Sequence, residues 1–143
     1  MKEISERSNA VKNAFNSLNA KNLDVLNGVY ADAVIFEDPM SRIEGLNNLK
    51  AHFQKLYKNV ISINFHFVDE VESGDTLALF WEMQLRAKSL KGGKPVSLEG
   101  MTKIIFNDRD QVILHKEYFD MGEFIYENIP LLGSVIKKIK QAL

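Results

Sequence analysis

Cysteine is absent from the 143 residues. That removes disulfides, thiolate nucleophiles and cysteine-bound metal from consideration. Histidine is scarce: His52, His66 and His115 stand far apart, without a short ligand spacing such as His-Glu-x-x-His, so no metal site is expected. Charge of one sign is missing as well. A net charge of -1 creates no basic field, and no nucleic-acid partner is expected. No apolar run approaches the ~20 residues needed to cross a bilayer, so stable membrane insertion is not expected. The first seven residues are charged and lack the apolar block of a signal peptide, which leaves the cytoplasm as the default compartment. The paired glycines Gly92 and Gly93 are not followed by a helix, so they read as a turn rather than a phosphate cradle. A serine nucleophile elbow is also missing.

What is present fits a soluble globular unit. Apolar residues make up 45% and charged residues 26%, which suits one folded domain spanning residues 1–143. Ile4, Val11, Phe15 and Leu18 recur at helical spacing and predict a helix over 4–20. A short second helix carries Leu23, Leu26 and Tyr30, and a brief strand over 33–37 ends at Pro39. Residues 41–45 read as a turn. Leu49, Phe53, Leu56 and Tyr57 form the stripe of a third helix over about 46–58.

Four strands in an antiparallel meander follow. Ile61, Ile63, Phe65 and Phe67 alternate with polar residues in the first, and Leu77, Leu79, Trp81, Met83 and Leu85 share a face in the second. The third carries Val96 to Phe106, and the last, 112–120, is apolar on both faces. A helical tail from Gly122 is interrupted at Pro130. Its last part, from Leu131, sets Leu132, Val135, Ile136 and Ile139 against Lys137, Lys138 and Lys140. That segment is expected to pack on its own domain; contact with a membrane surface or partner is the alternative. Helices segregated to one face of a curved sheet make an α+β architecture.

Two acids stand at the ends of apolar runs. Asp38 shares strand parity with Val34 and Phe36 and so faces inward with them, as a general base in apolar surroundings or as a cap of the turn at Pro39. Glu117 shares parity with His115 and Phe119, so an acid and an imidazole point the same way. They could share a proton, hold a water, or simply hydrogen-bond each other. Both acids are expected in one apolar pocket.

Tyr30-Ala31-Asp32, Phe36-Glu37-Asp38-Pro39, Gly45 opening a helix, and Glu117-Tyr118-Phe119-Asp120 together resemble the nuclear transport factor 2-like superfamily. More narrowly they are similar to its SnoaL-like and ketosteroid-isomerase-like members. The resemblance implies a conical α+β barrel: a curved antiparallel sheet packed on N-terminal helices, here with an added C-terminal helical tail, often dimerising through the sheet. A homodimer is therefore expected. Asp38 falls where ketosteroid isomerases keep their proton-shuttling aspartate, while Ala14 and Thr102 occupy the positions of the oxyanion-hole tyrosine and aspartate. Glu117 falls where limonene-epoxide-hydrolase-like members keep the aspartate that activates water. The arginine and aspartate those enzymes carry on a middle strand are missing from Trp81-Glu82-Met83-Gln84.

The expected site combines Asp38, Glu117 and His115 as acid/base groups with a wall of Phe15, Phe53, Tyr57, Trp81, Met83, Thr102 and Phe119. Its ligand would be a small apolar molecule. The expected chemistry is isomerisation or cyclisation by a carboxylate base without a cofactor. The alternatives are non-catalytic binding of a lipid-like or polyketide-like ligand, and water activation by Glu117.

Overall fold

The computed structural model describes residues 4–124 and 132–143. The predicted interruption at Pro130 and the start of the tail's last part at Leu131 lie outside the described residues.

The first helix, α1, spans Glu6–Ser17. Ser5 caps it: its hydroxyl accepts the Ser8 N–H at 3.1 Å, satisfying one of the donors a helix start leaves open. Ser8, Val11, Ala14 and Phe15 are its buried side. The expected second helix is a 3-10 turn, Leu23–Gly28, that buries Leu26. Strand β1, Tyr30–Glu37, starts three residues earlier than its alternation suggested. The predicted turn at 41–45 contains a short strand, β2, Arg42–Glu44, which folds back antiparallel on β1.

Gly45 then caps helix α2, Leu46–Tyr57, at φ 89°, a conformation that favours glycine. Its N–H is held by the Val34 carbonyl at 2.8 Å, which fixes α2 against β1. Leu46, Leu49 and Phe53 are the buried side of α2. Burying a phenylalanine of this kind contributes roughly 1.5–3 kcal/mol.

The meander consists of β3 (Val60–Ser73), β4 (Thr76–Ala87), β5 (Val96–Phe106) and β6 (Val112–Phe119). A 3-10 turn, Lys91–Gly93, lies between β4 and β5. The six strands form one curved, unclosed sheet in the order β2-β1-β6-β5-β4-β3. The expectation of a wholly antiparallel sheet needs correcting, because β1 pairs with β6 in parallel. Alternation along a strand reports which face is buried but carries no information about a neighbour's direction.

Two bulges break the period of β3, between Val60 and Ser62 and between Phe67 and Asp69. The first takes Ile61 off the inner face and leaves it 46% exposed. The second reverses the parity. Ile63, Phe65 and Phe67 pack on the core before it. After it Glu70 and Glu72 turn towards α1, where Ser8 Oγ donates to Glu70 at 2.6 Å and Arg7 Nε donates to Glu72 at 3.0 Å.

One apolar cluster fills the space between α1, α2 and the sheet, around Val11, Phe15, Leu49, Phe53 and Ile104. A second, around Trp81, Met83, Leu85 and Leu98, continues along β4 and β5. After β6 come a one-turn helix, α3 (Met121–Phe124), and α4 (Leu132–Ala142). The expected burial of the apolar side of α4 on the domain is incomplete: Val135 and Ile139 are about half exposed, while Ile136 is half-buried. Lys140 ties the helix to the end of β6 through an ion pair with Asp120 at 3.2 Å.

Candidate functional site

A cavity of about 110 Å³ lies between the helices and the concave face of the sheet. Phe15 comes from α1, Phe53 and Tyr57 from α2, Phe65 from β3, Trp81 and Met83 from β4, and Phe119 from β6. Both acids border it, so the inward parity of Asp38 and of Glu117 leads to one place. His115 borders it too. Thr102 does not: it is fully buried behind Trp81, whose indole N–H donates to the threonine hydroxyl at 2.8 Å. Thr102 shares the inward parity of β5, but its short side chain lies under the larger ring from the neighbouring strand.

The polar end of the cavity is a chain of three side chains. The Tyr30 hydroxyl lies 2.6 Å from His115 Nδ1, and His115 Nε2 lies 3.0 Å from Glu117 Oε1. Burial, with smaller contributions from the charge of Glu117 and from Tyr57, raises the pKa of Tyr30 well above that of an ordinary tyrosine. Its hydroxyl therefore keeps its proton. The assignment that gives each group a partner has Tyr30 donating to Nδ1 and Nε2–H donating to the Glu117 carboxylate. His115 is 1% exposed and stacks on Phe15 with ring centroids 5.0 Å apart, so its ring is clamped. Glu117 is held by an imidazole that is itself held, and among the described residues its second carboxylate oxygen has no hydrogen-bond partner.

Tyr57 supplies the complementary group. Burial, helped by the negative charge of Glu117, raises its pKa. It therefore remains a hydroxyl, and among the described residues nothing hydrogen-bonds it.

Asp38 is placed differently. Its Oδ1 accepts the N–H groups of Met40 and Ser41, both at 2.8 Å, and the Ser41 hydroxyl at 3.1 Å. It caps the turn between β1 and β2 while bordering the cavity. Among the described residues, no lysine or arginine borders it. Among the described residues no cluster of His, Asp and Glu could hold a metal ion.

Tyr30 was not singled out in the sequence as a site residue. Its spacing from Leu23 and Leu26 makes it the end of a helical stripe, and its partner His115 lies 85 residues away, across the parallel β1–β6 pairing.

A curved α+β sheet closed by helices over an apolar pocket with an acidic end defines the class of nuclear transport factor 2-like cones. Within it, the family model of the SnoaL-like domain matches residues 11–115, and the chain belongs to that family. Glu117 and α4 lie beyond the matched span. No curated protein matches the sequence.

Solved structures share the fold at low identity. A protein of ketosteroid isomerase-like fold from Catenulispora acidiphila, in complex with trimethylamine, superposes with a TM-score of 0.74 at 11% identity, covering 88% of this chain and 93% of its own. A protein from Shewanella denitrificans assigned as a SnoaL-like polyketide cyclase gives 0.71 at 15% identity, covering 83% and 91%. A limonene-epoxide-hydrolase-like epoxide hydrolase from Mycobacterium tuberculosis gives 0.71 at 17% identity, covering 93% and 96%.

Proposed function

We propose that the protein binds a small, largely apolar ketone and moves a proton at the carbon next to its carbonyl, with Glu117 as the base. The observation that carries this reading is the buried chain Tyr30–His115–Glu117, which fixes one carboxylate at an apolar cavity. In the step proposed, the free oxygen of Glu117 takes the C–H proton. The electron pair moves onto the carbonyl oxygen, and the Tyr57 hydroxyl donates a hydrogen bond to the resulting enolate. Where the ketone carries a β,γ double bond, the electron pair spreads into a dienolate, and return of the proton to its far carbon shifts the double bond into conjugation, which is isomerisation. Attack of the enolate carbon on a second carbonyl gives cyclisation, and the proton then neutralises the new alkoxide. No cofactor enters either route. With neither lysine nor arginine among the described residues at the cavity wall, an anionic ligand would face two carboxylates without a cation to offset them, so the ligand is not an anion.

Epoxide opening fits less well. It calls for an acid beside the activated water, and on the middle strand Glu82 and Gln84 are exposed on the outer face. Asp38 is assigned to shaping the cavity border rather than to chemistry, because three hydrogen bonds fix it as the cap of the turn between β1 and β2, whereas Glu117 is held by the imidazole alone.

The test is deuterium wash-in from heavy water into an apolar bicyclic ketone such as 1-decalone, followed by NMR. Wild-type protein should accelerate exchange, Glu117→Gln should lower the rate by about 10²–10⁴-fold, and Asp38→Asn should leave most of it. Acceleration that survives Glu117→Gln would refute the assignment.

The expected homodimer is also part of this reading. Phe80, Met101 and Tyr118 form one cross-strand row on the outer face of the sheet, and Tyr118 is 44% exposed. Light scattering on Met101→Lys/Tyr118→Lys should report a monomer if that row is the contact.

A further inference from the structure

We infer that α4 is a docking element for an anionic lipid surface. The helix contains Lys137, Lys138 and Lys140 and no acidic residue, in a chain where acids outnumber basic residues 19 to 18. Val135 and Ile139, four residues apart, lie on one line along the helix, with Leu143 just past its end. They are 48%, 54% and 102% exposed. The other side of the helix seats it on the domain. Gly133 is buried there, and Lys140 pairs with Asp120 and lies against Gly122. The domain thus holds α4 by its lysine-and-glycine edge and turns the apolar line outwards, with Lys138 bordering that line on the side away from the domain and Lys137 further round the polar face.

Charge complementarity selects the occupant. A second copy laid along the same line would bring another helix of lysines against Lys138, with no acid on either helix to offset the repulsion. An anionic lipid surface offers hydrocarbon to the apolar line and headgroup charge to the lysines. Eleven residues span about 16 Å, too short to cross a bilayer and suited to lying in its interface. The attachment point adds a functional reason: Asp120 directly follows Phe119, which borders the cavity. Docking through α4 would bring a membrane-dissolved apolar ligand to that end of β6.

The test is cosedimentation of the full chain with vesicles of equal parts phosphatidylglycerol and phosphatidylcholine, compared with phosphatidylcholine alone. Binding to the anionic vesicles only is expected, weakened by added salt. Val135→Asp/Ile139→Asp should abolish it, and Lys137→Gln/Lys138→Gln should weaken partitioning roughly thirtyfold. All four positions are exposed, and circular dichroism with thermal unfolding will verify that the variants fold; the salt dependence of the wild-type chain needs no variant. The inference is overturned by absence of binding to anionic vesicles, by equal binding to phosphatidylcholine, or by binding that neither pair weakens. It is also overturned if Val135→Asp/Ile139→Asp dissociates an oligomer of a protein that binds no vesicle. The assay does not use the cavity, so its failure leaves the Glu117 reading standing, and failure of ketone exchange leaves this one standing.

Discussion

Gly100→Ala is the sharpest probe of how the cavity wall is built. Gly100 sits opposite Trp81 in the β4–β5 register, and the indole occupies the space where a Cβ would stand. A Cβ added at Gly100 would stand 2.3 Å from Cη2 and 2.5 Å from Cζ2 of that ring. Carbon atoms settle at about 3.5–4.0 Å, so the ring must retreat by roughly 1 Å or more. It cannot do so freely, since it is 2% exposed, meets Phe65 edge-on at 5.4 Å and donates to Thr102 at 2.8 Å. Overpacking of this kind costs about 1–3 kcal/mol. Loss of the indole–threonine bond adds about 1 kcal/mol. For a chain of this size each kcal/mol lowers Tm by about 3 °C, so the expected drop is roughly 6–12 °C. The ring can move only towards the cavity, which would shrink. Trp81 is the sole tryptophan, so its emission reports the displacement directly while circular dichroism gives Tm. A Tm within about 2 °C of wild type, with unchanged emission, would refute this account of the wall.

Other expectations follow from the same contacts. Tyr30→Phe keeps the ring but leaves His115 Nδ1 buried without its donor; urea unfolding should show a loss of about 1–3 kcal/mol, and ketone exchange should fall with it. The raised pKa values of Tyr30 and Tyr57 predict alkaline instability. Above about pH 10 the unfolded chain loses these protons and the folded chain keeps them. Their contribution is therefore complete below pH 10, and stability then falls by about 2.7 kcal/mol per pH unit for the pair. Absorbance of tyrosinate should rise in a step that coincides with loss of the circular dichroism signal; ionisation of all four tyrosines near pH 10 in a protein still folded would contradict it. Arg7 bridges Glu72, Asp75 and Asp110 while lying 4.5 Å over the Phe106 ring. Arg7→Met, which keeps the stem, should cost about 2 kcal/mol in denaturant titration, and high salt should narrow the gap from wild type.

The inner faces were legible because strand parity is a local property. Val34, Phe36 and Asp38, and likewise His115, Glu117 and Phe119, needed only alternate positions along one strand. The bulges of β3 were not legible, since an extra residue at Ile61 or Val68 leaves no composition signal yet reverses every side chain beyond it. The partner of His115 was hidden for another reason. Tyr30 sits at the irregular start of β1, where the register shifts before Ile35, and only the assembled sheet brings it to the imidazole. Asp38 could be read as base or turn cap with equal justice; the two backbone donors and the Ser41 hydroxyl around Oδ1 are set by the turn after Pro39, which parity does not describe. For the tail, periodicity shows that α4 has an apolar side, but only the Lys140–Asp120 ion pair decides which way that side turns.

The parallel pairing of β1 with β6 also sets an order in time. The Trp81–Thr102 contact closes a loop of 21 residues, while Tyr30–His115 closes one of 85. Loop entropy alone makes the longer closure about 1.2 kcal/mol costlier. The hairpins of the meander can thus form before the polar end of the cavity does, and a nascent chain halted before Val112–Phe119 would hold apolar walls without the Tyr30–His115–Glu117 chain. Acquisition of ketone exchange in a refolding experiment should therefore lag behind burial of the tryptophan.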